Sequence, residues 1–188
     1  MILFPDLFPN ISYIETIEEF KLLQTTEQST KWHKEGDVWN HTILVAMEMY
    51  KLIKVKKPSN PELLMYAALC HDLGKPKTTY FDGDYKCKNH GVVGAEITKS
   101  LFPNSPELVW LVRWHMTFHH FFDKSISEQK NILEKLSSTG NVKDLLLLNI
   151  ADTLGSINDE KCVKAKFQLY EEISNPNSNH PKQLFLDL

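Results

Sequence analysis

The stretch LCHDLGKP, residues 69–76, places a histidine beside an aspartate at the end of an apolar run. Imidazole nitrogen and carboxylate oxygen together suit divalent first-row metals such as Zn, Fe, Mn, Co or Ni. The dipeptide alone is weak evidence. However, the preceding YAALC should be buried, and polar groups that leave a buried helix need partners. His71 and Asp72 are therefore either a polar helix end or part of a metal site.

Further candidate ligands stand in other apolar segments of the chain, and they are His41, His90, His115 and Asp152. A helical bundle can bring such side chains from separate helices to one interior point. Taken singly, each has another explanation. His41 could be a residue at a helix start, His90 a helix cap, His115 a hydrogen-bonded core histidine and Asp152 a cap where the chain turns. Together with His71 and Asp72 they are candidates for a site at which several helices meet.

The composition supports the search for such a site and argues against several other classes of protein. Five of the eight histidines lie between positions 71 and 120, and histidine is the commonest metal ligand. A net charge of −3 argues against a general nucleic-acid coat. There is no membrane-spanning apolar run, no basic leader and no CxxC spacing among the three cysteines. We therefore expect a cytoplasmic protein without disulfides, and no obligate protein partner is evident.

Hydrophobic periodicity predicts that the candidate ligands are carried by helices joined by short loops. The predicted helices span residues 16–25, 40–55, 61–74, 90–102, 105–122, 127–136, 142–156 and 159–173. Asn40 is the expected N-cap of the second helix, and Pro61 suits the first turn of the third. Gly74 and Pro76 should end that third helix. Residues of β type flanking an Asp-Gly pair predict a small hairpin or an irregular loop at about 78–88.

Over roughly residues 30–156 the chain resembles the HD-domain metal-dependent phosphohydrolases, through the pieces WHKEGDVWNHT, AALCHDLGKP, NHGVVGAE, LVRWH and ADTLG. These pieces are most similar to the HD domain of bacterial tRNA nucleotidyltransferases, the CCA-adding enzymes, and to HD phosphoesterases of RNA-repair proteins. The resemblance implies an all-α helical bundle, and we expect one HD domain over residues 1–188. A nucleotidyltransferase head and a GxxxxGK[ST] loop are both missing, so we expect the hydrolytic module to stand alone.

The resemblance also implies roles for individual residues. In the family, one metal is held by a first histidine, the His-Asp pair and a late aspartate, which correspond here to His41, His71, Asp72 and Asp152. Members with two further histidines hold a second metal, and His90 and His115 match those positions. Lys75 matches a lysine associated with the substrate phosphate. We therefore expect one or two divalent ions, for which Mn, Ni, Co, Fe, Mg and Zn are all compatible.

Other residues have more than one possible role. Many relatives carry a basic residue after the ADxxG stretch, where this chain has Ser156. Arg113 could supply that charge to a substrate phosphate or simply lie on a helix surface. His33 and Glu35 could line the substrate pocket, hydrogen-bond a ligand histidine or shape their loop. His119 is expected in a groove or on the surface, where it could contact substrate.

The expected reaction is hydrolysis of a nucleotide or RNA-end phosphate, either a 2′,3′-cyclic phosphodiester or a phosphomonoester. A bound metal lowers the pKa of water and makes hydroxide available near neutral pH. Asp72 would bridge two metals, Lys75 would offset charge on the phosphoryl oxygens, and His115 or His119 would protonate the leaving oxygen. Two alternatives remain, a nucleoside monophosphate phosphatase and a module that binds a nucleotide or RNA end without hydrolysis. The aromatic residues that could stack on a base or pack internally are Trp39, Tyr80, Phe81, Tyr85 and Trp114.

Overall fold

The computed structural model describes residues 11–156 and 160–175, and within these ranges the chain forms ten α-helices and one β-hairpin. The helices are α1 (Ile11–Ile14), α2 (Glu18–Lys21), α3 (Val38–Lys56), α4 (Pro61–Cys70), α5 (Lys75–Thr78), α6 (His90–Leu101), α7 (Pro106–Trp114), α8 (Ile126–Ser137), α9 (Val142–Leu154) and α10 (Glu160–Ser174). Leu22–Thr25 and His115–Phe118 form 3₁₀ turns after α2 and α7. Strands β1 (Thr79–Phe81) and β2 (Tyr85–Cys87) pair antiparallel. The prediction of an all-α fold with a small hairpin is confirmed.

Helix α9 forms the centre of the bundle, because eleven of its thirteen residues are buried. It packs against α3, α4, α7 and α10, while α6 packs mainly against α7. Burying one large apolar side chain contributes roughly 1.5–3 kcal/mol, so this arrangement of apolar faces determines how the helices assemble. Asn149 and Asp152 are buried among the leucines of α9 and need specific partners, because unpaired polar groups are costly there.

Helix α3 begins earlier than predicted, because Asp37 rather than Asn40 caps it. Asp37 has an extended backbone, and its Oδ1 accepts a hydrogen bond from the backbone N–H of Asn40 at 2.8 Å. A carboxylate satisfies the unpaired N–H groups of a first turn and is also stabilised by the helix dipole. The earlier start places His41 in the first turn of α3, within contact of Asp152 on α9.

Helix α4 begins at Pro61, as predicted, but ends at Cys70, before the predicted end at Gly74. Pro76 does not end this helix and lies inside the short helix α5. The turn between the two helices is pressed against α6, since a Cβ on Gly74 would lie 2.0 Å from the carbonyl oxygen of His90. Glycine is therefore required by the close approach of two backbones. That approach brings the turn that carries Asp72 beside His90.

The predicted helix over residues 105–122 is in fact two elements, α7 and the 3₁₀ turn that follows it. In that turn the N–H of His119 bonds to the carbonyl of Met116. The carbonyl of His115 is left available and accepts a hydrogen bond from Asn149 Nδ2 at 2.8 Å. This bond satisfies Nδ2 of Asn149 on α9 and anchors the backbone of a candidate ligand.

Parts of the predicted domain lie outside the described residues, namely 1–10, 157–159 and 176–188, and the predicted start of the last helix at residue 159 is among them. In the described part of the chain, no helix combines the length and the apolar character needed to cross a membrane. Cys70, Cys87 and Cys162 form no disulfide bond in the described part of the chain.

Candidate metal centre

Six side chains converge inside the bundle, where the ends of several helices meet, and they are His41, His71, Asp72, His90, His115 and Asp152. None of them is more than 5% exposed. Leu69 and Cys70, just before the His-Asp pair, are also buried and support it from the core. The structure therefore brings all six predicted metal ligands to one place.

The first group of ligand atoms surrounds Asp72 Oδ2. His71 Nε2 lies 3.2 Å from this oxygen, and His41 Nε2 lies 3.7 Å from it. The two histidine nitrogens are 3.4 Å apart. Asp152 Oδ1 completes the group at 3.1 Å from His41 Nε2 and 3.9 Å from His71 Nε2. Four potential ligand atoms thus meet from three separate segments of the chain.

The second group surrounds the other oxygen of Asp72. His90 Nε2 lies 3.4 Å from Asp72 Oδ1, and His115 Nε2 lies 3.9 Å from it. The Nε2 atoms of His90 and His115 are 3.1 Å apart. Asp72 therefore presents one oxygen to each group of histidine nitrogens, which is the arrangement expected of a carboxylate that bridges two metal ions.

Acceptors on the far side of each ring orient the four histidines. His71, His115 and His90 place Nδ1 near the carbonyl oxygen three residues earlier, at 2.8, 2.7 and 3.4 Å respectively. His41 Nδ1 instead lies 2.9 Å from Glu35 Oε1. An acceptor at Nδ1 holds the proton there and leaves the Nε2 lone pair for a metal. All four rings therefore direct Nε2 inward.

The donor set fits divalent metals. Atoms bound to one ion at about 2.1 Å lie about 3.0–3.4 Å from one another, which is the spacing of the facing nitrogen pairs here. Asp72 Oδ2 is buried without a well-aligned hydrogen bond, although Lys75 Nζ lies 2.8 Å away. A cation would satisfy this oxygen and the facing imidazole nitrogens together, because it takes lone pairs from both.

The model of the HD domain family matches residues 38–157, which is more than half of the chain. The chain belongs to the HD domain family. It is 32% identical over 147 residues to the "Multifunctional CCA protein" of Haemophilus ducreyi, and the match covers 72% of this chain and 34% of that protein. The "CC-adding tRNA nucleotidyltransferase" of Thermus thermophilus is 30% identical over 147 residues, with 72% and 31% covered. The "Multifunctional CCA protein" of Neisseria meningitidis is 30% identical over 156 residues, with 77% and 35% covered. This HD domain chain thus spans about a third of these curated relatives.

We call the six converging side chains the HD centre. Both of its aspartates, Asp72 and Asp152, are held in the ionised form. Burial alone would raise the pKa of Asp72, but the charges of His71 and Lys75 outweigh it and hold that pKa well below its usual value. Burial likewise opposes ionisation of Asp152, whose pKa is kept low by His119 and by the hydrogen bond from His41. Ionised carboxylates are the form that binds metal, so both aspartates are ready to act as ligands at neutral pH.

His41 and His115, one from each group, differ in protonation. Burial would lower the pKa of His41, but hydrogen bonds to Asp152 and Glu35 raise it to about 9. Burial lowers the pKa of His115 to about 3, with the neighbouring His90 contributing. In the metal-free protein His41 therefore holds a proton at neutral pH, whereas His115 is already neutral. His41 must therefore lose a proton to bind metal, whereas His115 need not.

A cleft of about 420 Å³ opens beside the HD centre and is lined by Asp72, Lys75, His90 and Asp152, among other residues. Lys75 is 5% exposed, and its ammonium lies 2.8 Å from Asp72 Oδ2. It also donates a hydrogen bond to Gln28 Oε1 at 2.9 Å. Lys75, the lysine expected to contact the substrate phosphate, is thus held at the cleft wall by Asp72 and Gln28.

Of the remaining predicted site residues, two line the cleft and one lies behind it. His119 lines the cleft and contacts Asp152 Oδ2 through Nε2 at 2.7 Å. His33 also lines the cleft, while Glu35 lies behind it and contacts His33 Nδ1 at 2.8 Å as well as His41. Glu35 therefore supports a ligand histidine from outside the centre, which was one of the roles expected for it.

Arg113 is not brought to the cleft. It is exposed on α7, and its guanidinium lies 5.7 Å from the ring centroid of Trp114. Lys166 of α10 lines the cleft together with Ser156, and its Nζ donates a hydrogen bond to Thr153 Oγ1 at 2.5 Å. Helix α10 thus brings a lysine side chain to the cleft, whereas Arg113 lies on the outside of α7.

The residues of the cleft region that sequence reasoning missed include Gln28, Trp32 and Lys166. Gln28 contacts Lys75 from 47 positions earlier in the chain, so no local pattern reveals it. Lys166 is one of three lysines in the amphipathic helix α10, and the sequence does not show which of them is buried. Trp32 directly precedes His33 in the family-like piece WHKEGD, and this adjacency was the only available signal.

Proposed function

We propose that this HD domain protein is a metal-dependent phosphohydrolase that acts on nucleotide or RNA-end phosphates. The substrates would be 2′,3′-cyclic phosphodiesters or phosphomonoesters. The observation that supports this most strongly is the pair of ligand groups that share Asp72, one oxygen to each group. A module that only binds nucleotides has no need of six convergent ligands beside an open cleft.

The two groups would hold one ion each, the first with His41, His71, Asp72 and Asp152 and the second with Asp72, His90 and His115. Divalent ions at such sites supply a water molecule of lowered pKa as nucleophile. Several first-row metals, and Mg, are compatible with this mixed nitrogen and oxygen set.

The protein's own residues would perform the remaining tasks. Lys75, held at the cleft wall, would offset the charge that develops on the phosphoryl oxygens. His119 lines the cleft and is partly exposed, so it would give a proton to the leaving oxygen. His115 is completely buried, and both of its ring nitrogens have partners, which favours His119 for this step.

Two further observations support the substrate class. The relatives of Haemophilus ducreyi and Thermus thermophilus are named for CCA addition and for tRNA, respectively, and both names concern RNA ends. The net charge of −3 favours a small substrate or a strand end over a long duplex. A cytoplasmic setting belongs to the same proposal.

The test is to strip the protein of metal and to reload it separately with Mn, Ni, Co or Mg. Metal content and phosphate release are then measured with 2′,3′-cyclic nucleotides and with nucleoside 2′-, 3′- and 5′-monophosphates. Asp72→Asn should abolish activity and lower the number of bound ions. Glu134→Gln, the same chemical change at an exposed position of α8, should leave both unchanged.

Two results would count against the proposal. Metal-loaded wild type that hydrolyses no ester in the panel would favour a binding module. Undiminished turnover by Asp72→Asn would show that the two ligand groups do not carry the reaction. Turnover of nucleoside monophosphates without the cyclic esters would instead select the nucleotidase among the proposed activities.

A further inference from the structure

Trp32 is an exception among the four tryptophans of the chain. Trp39, Trp110 and Trp114 are partly buried and pack against the hydrophobic core. Trp32 is 59% exposed and belongs to no core cluster among the described residues. Unlike the other three, Trp32 therefore gains little free energy from burial in the core.

Trp32 lines the cleft of the metal centre and also a smaller side cavity of about 110 Å³. The walls of both cavities include Trp32, His33, Lys75 and Cys87. Lys75 is paired with Asp72 on one side and reaches the side cavity on the other. An exposed indole thus stands next to the place where a substrate phosphate would lie.

The loop that carries Trp32 is anchored to the hairpin. Ser29 Oγ donates a hydrogen bond to Asp84 Oδ2 at 2.5 Å, and the hydroxyl of Tyr85 bonds to Glu27. The backbone N–H of Trp32 bonds to the carbonyl of Ser29 at 3.2 Å. The indole is therefore presented on a braced loop, and a preorganised platform loses less entropy when a ligand stacks on it.

The chemistry of the side cavity suits a nucleobase better than a second phosphate. Lys31 Nζ lies 4.9 Å from the centroid of the Trp32 ring, as in a cation–π contact, yet the residue remains largely exposed. The two lysines that line this cavity, Lys75 and Lys86, already pair with Asp72 and Asp82, and Glu27 adds a further carboxylate, so the lining offers no unpaired lysine to a second phosphate. Stacking on an indole is open to any base, because every base has a π-face.

We propose that Trp32 and the side cavity form a nucleobase subsite, in which the base of the substrate's terminal nucleotide stacks on the indole while its phosphate lies beside Asp72 and Lys75. The inference rests on the proposed function for the position of the phosphate. The base belongs either to a mononucleotide or to the last nucleotide of an RNA strand. This subsite makes the base, and not only the phosphate, a determinant of affinity.

The test measures equilibrium binding to metal-free protein, which cannot carry out metal-dependent hydrolysis. The probes are AMP, ribose 5-phosphate, which has no base, and a short oligoribonucleotide with a 2′,3′-cyclic phosphate end. Wild type should bind AMP roughly tenfold more tightly than ribose 5-phosphate, and Trp32→Ala should remove this difference without weakening ribose 5-phosphate. Trp32→Phe should retain part of the preference but lose the quenching of tryptophan emission by AMP.

Tyr13→Ala is the matched control, because Tyr13 is similarly exposed at 65% and lies outside both cavities. It should bind all three probes as wild type does. If the subsite serves an RNA end, the oligoribonucleotide should bind at least as tightly as AMP and lose affinity equally in Trp32→Ala. If only AMP responds to the substitution, the subsite serves mononucleotides.

The inference is overturned if wild type shows no preference for AMP over ribose 5-phosphate, including no binding of either. An unchanged preference in Trp32→Ala overturns it as well. Hydrolysis by the metal-reloaded protein is measured in parallel to separate the two proposals. Active enzyme without a base preference refutes the subsite alone, whereas base-dependent binding without hydrolysis of any ester refutes the proposed function alone.

Discussion

Replacing Asp72 with asparagine tests the centre most directly, because it removes one negative charge and preserves the shape of the side chain. In the metal-free protein the change takes away the anionic partner of Lys75, whose ammonium lies 2.8 Å from Asp72 Oδ2. The two side chains are only 6% and 2% exposed, so water cannot replace the lost partner. Lys75 keeps its hydrogen bond to Gln28.

The structure permits an estimate of the effect on stability. Two unit charges 2.8 Å apart attract by about 6 kcal/mol at an effective dielectric constant of about 20, and much of this offsets their desolvation. Removing one partner of a buried pair typically costs about 3–5 kcal/mol, because the other charge remains buried. We therefore expect the free energy of unfolding of metal-free Asp72→Asn to fall by about 3–5 kcal/mol.

Urea unfolding of four chelator-treated proteins at neutral pH measures this: wild type, Asp72→Asn, Lys75→Met and the double variant. Each single change should destabilise the protein by leaving one buried charge unpaired. The double variant should recover most of the loss, because neither charge remains. The surface variant Glu134→Gln should unfold as wild type does.

The reasoning is refuted if the double variant loses the sum of the two single effects, since the charges would then not be coupled. It is also refuted if Asp72→Asn loses less than about 1 kcal/mol, the value typical of exposed ion pairs. In that case water would reach the pair, and the centre would be more open than its burial indicates.

Two further predictions concern the metal and the turn beneath it. Since the pKa of His41 is about 9 in the metal-free protein, the first ion should displace about one proton at pH 7.5, and its affinity should rise with pH up to about 9. Calorimetry in buffers of different ionisation enthalpy measures the released proton. Glu35→Gln, which weakens the support for protonated His41, should move this pH dependence to lower pH, and an unchanged profile would show that Glu35 does not act on His41. Gly74→Ala should reduce the free energy of unfolding by about 1–3 kcal/mol in urea, because its Cβ would lie 2.0 Å from His90 O. Gly74→Ala should also lower the affinity for an ion at the group of His90 more than the affinity for an ion at the group of His41. An equal loss of affinity at both groups would contradict this prediction.

The sequence alone determined which residue types could bind metal and which segments would be helical. His41, His71, His90, His115 and Asp152 are recognisable because each is a polar residue in an apolar helical pattern, and that contradiction is visible without a structure. The hairpin was recognisable from its turn residues for the same local reason.

Helix ends were predicted less well, because they depend on contacts made across the fold. Gly74 and Pro76 are ordinary stop signals, yet α4 ends earlier, at Cys70, where the turn is pressed against α6. After α7 ends at Trp114, the carbonyl of His115 accepts a hydrogen bond from Asn149, a partner on another helix. Periodicity reports which face of a helix is buried and contains no information on such partners.

The family resemblance already implied two sets of ligands, but only the tertiary structure decided which oxygen of Asp72 faces each set. The side chains of Asp72 and Lys75 are three residues apart in sequence, but their pairing and the placement of each Asp72 oxygen depend on helices distant in the chain. The same holds for Trp32, whose exposure at the cleft is a property of the packed loop and hairpin. Distances of about 3 Å between residues far apart in the chain are set by how helices pack, and no local pattern encodes them.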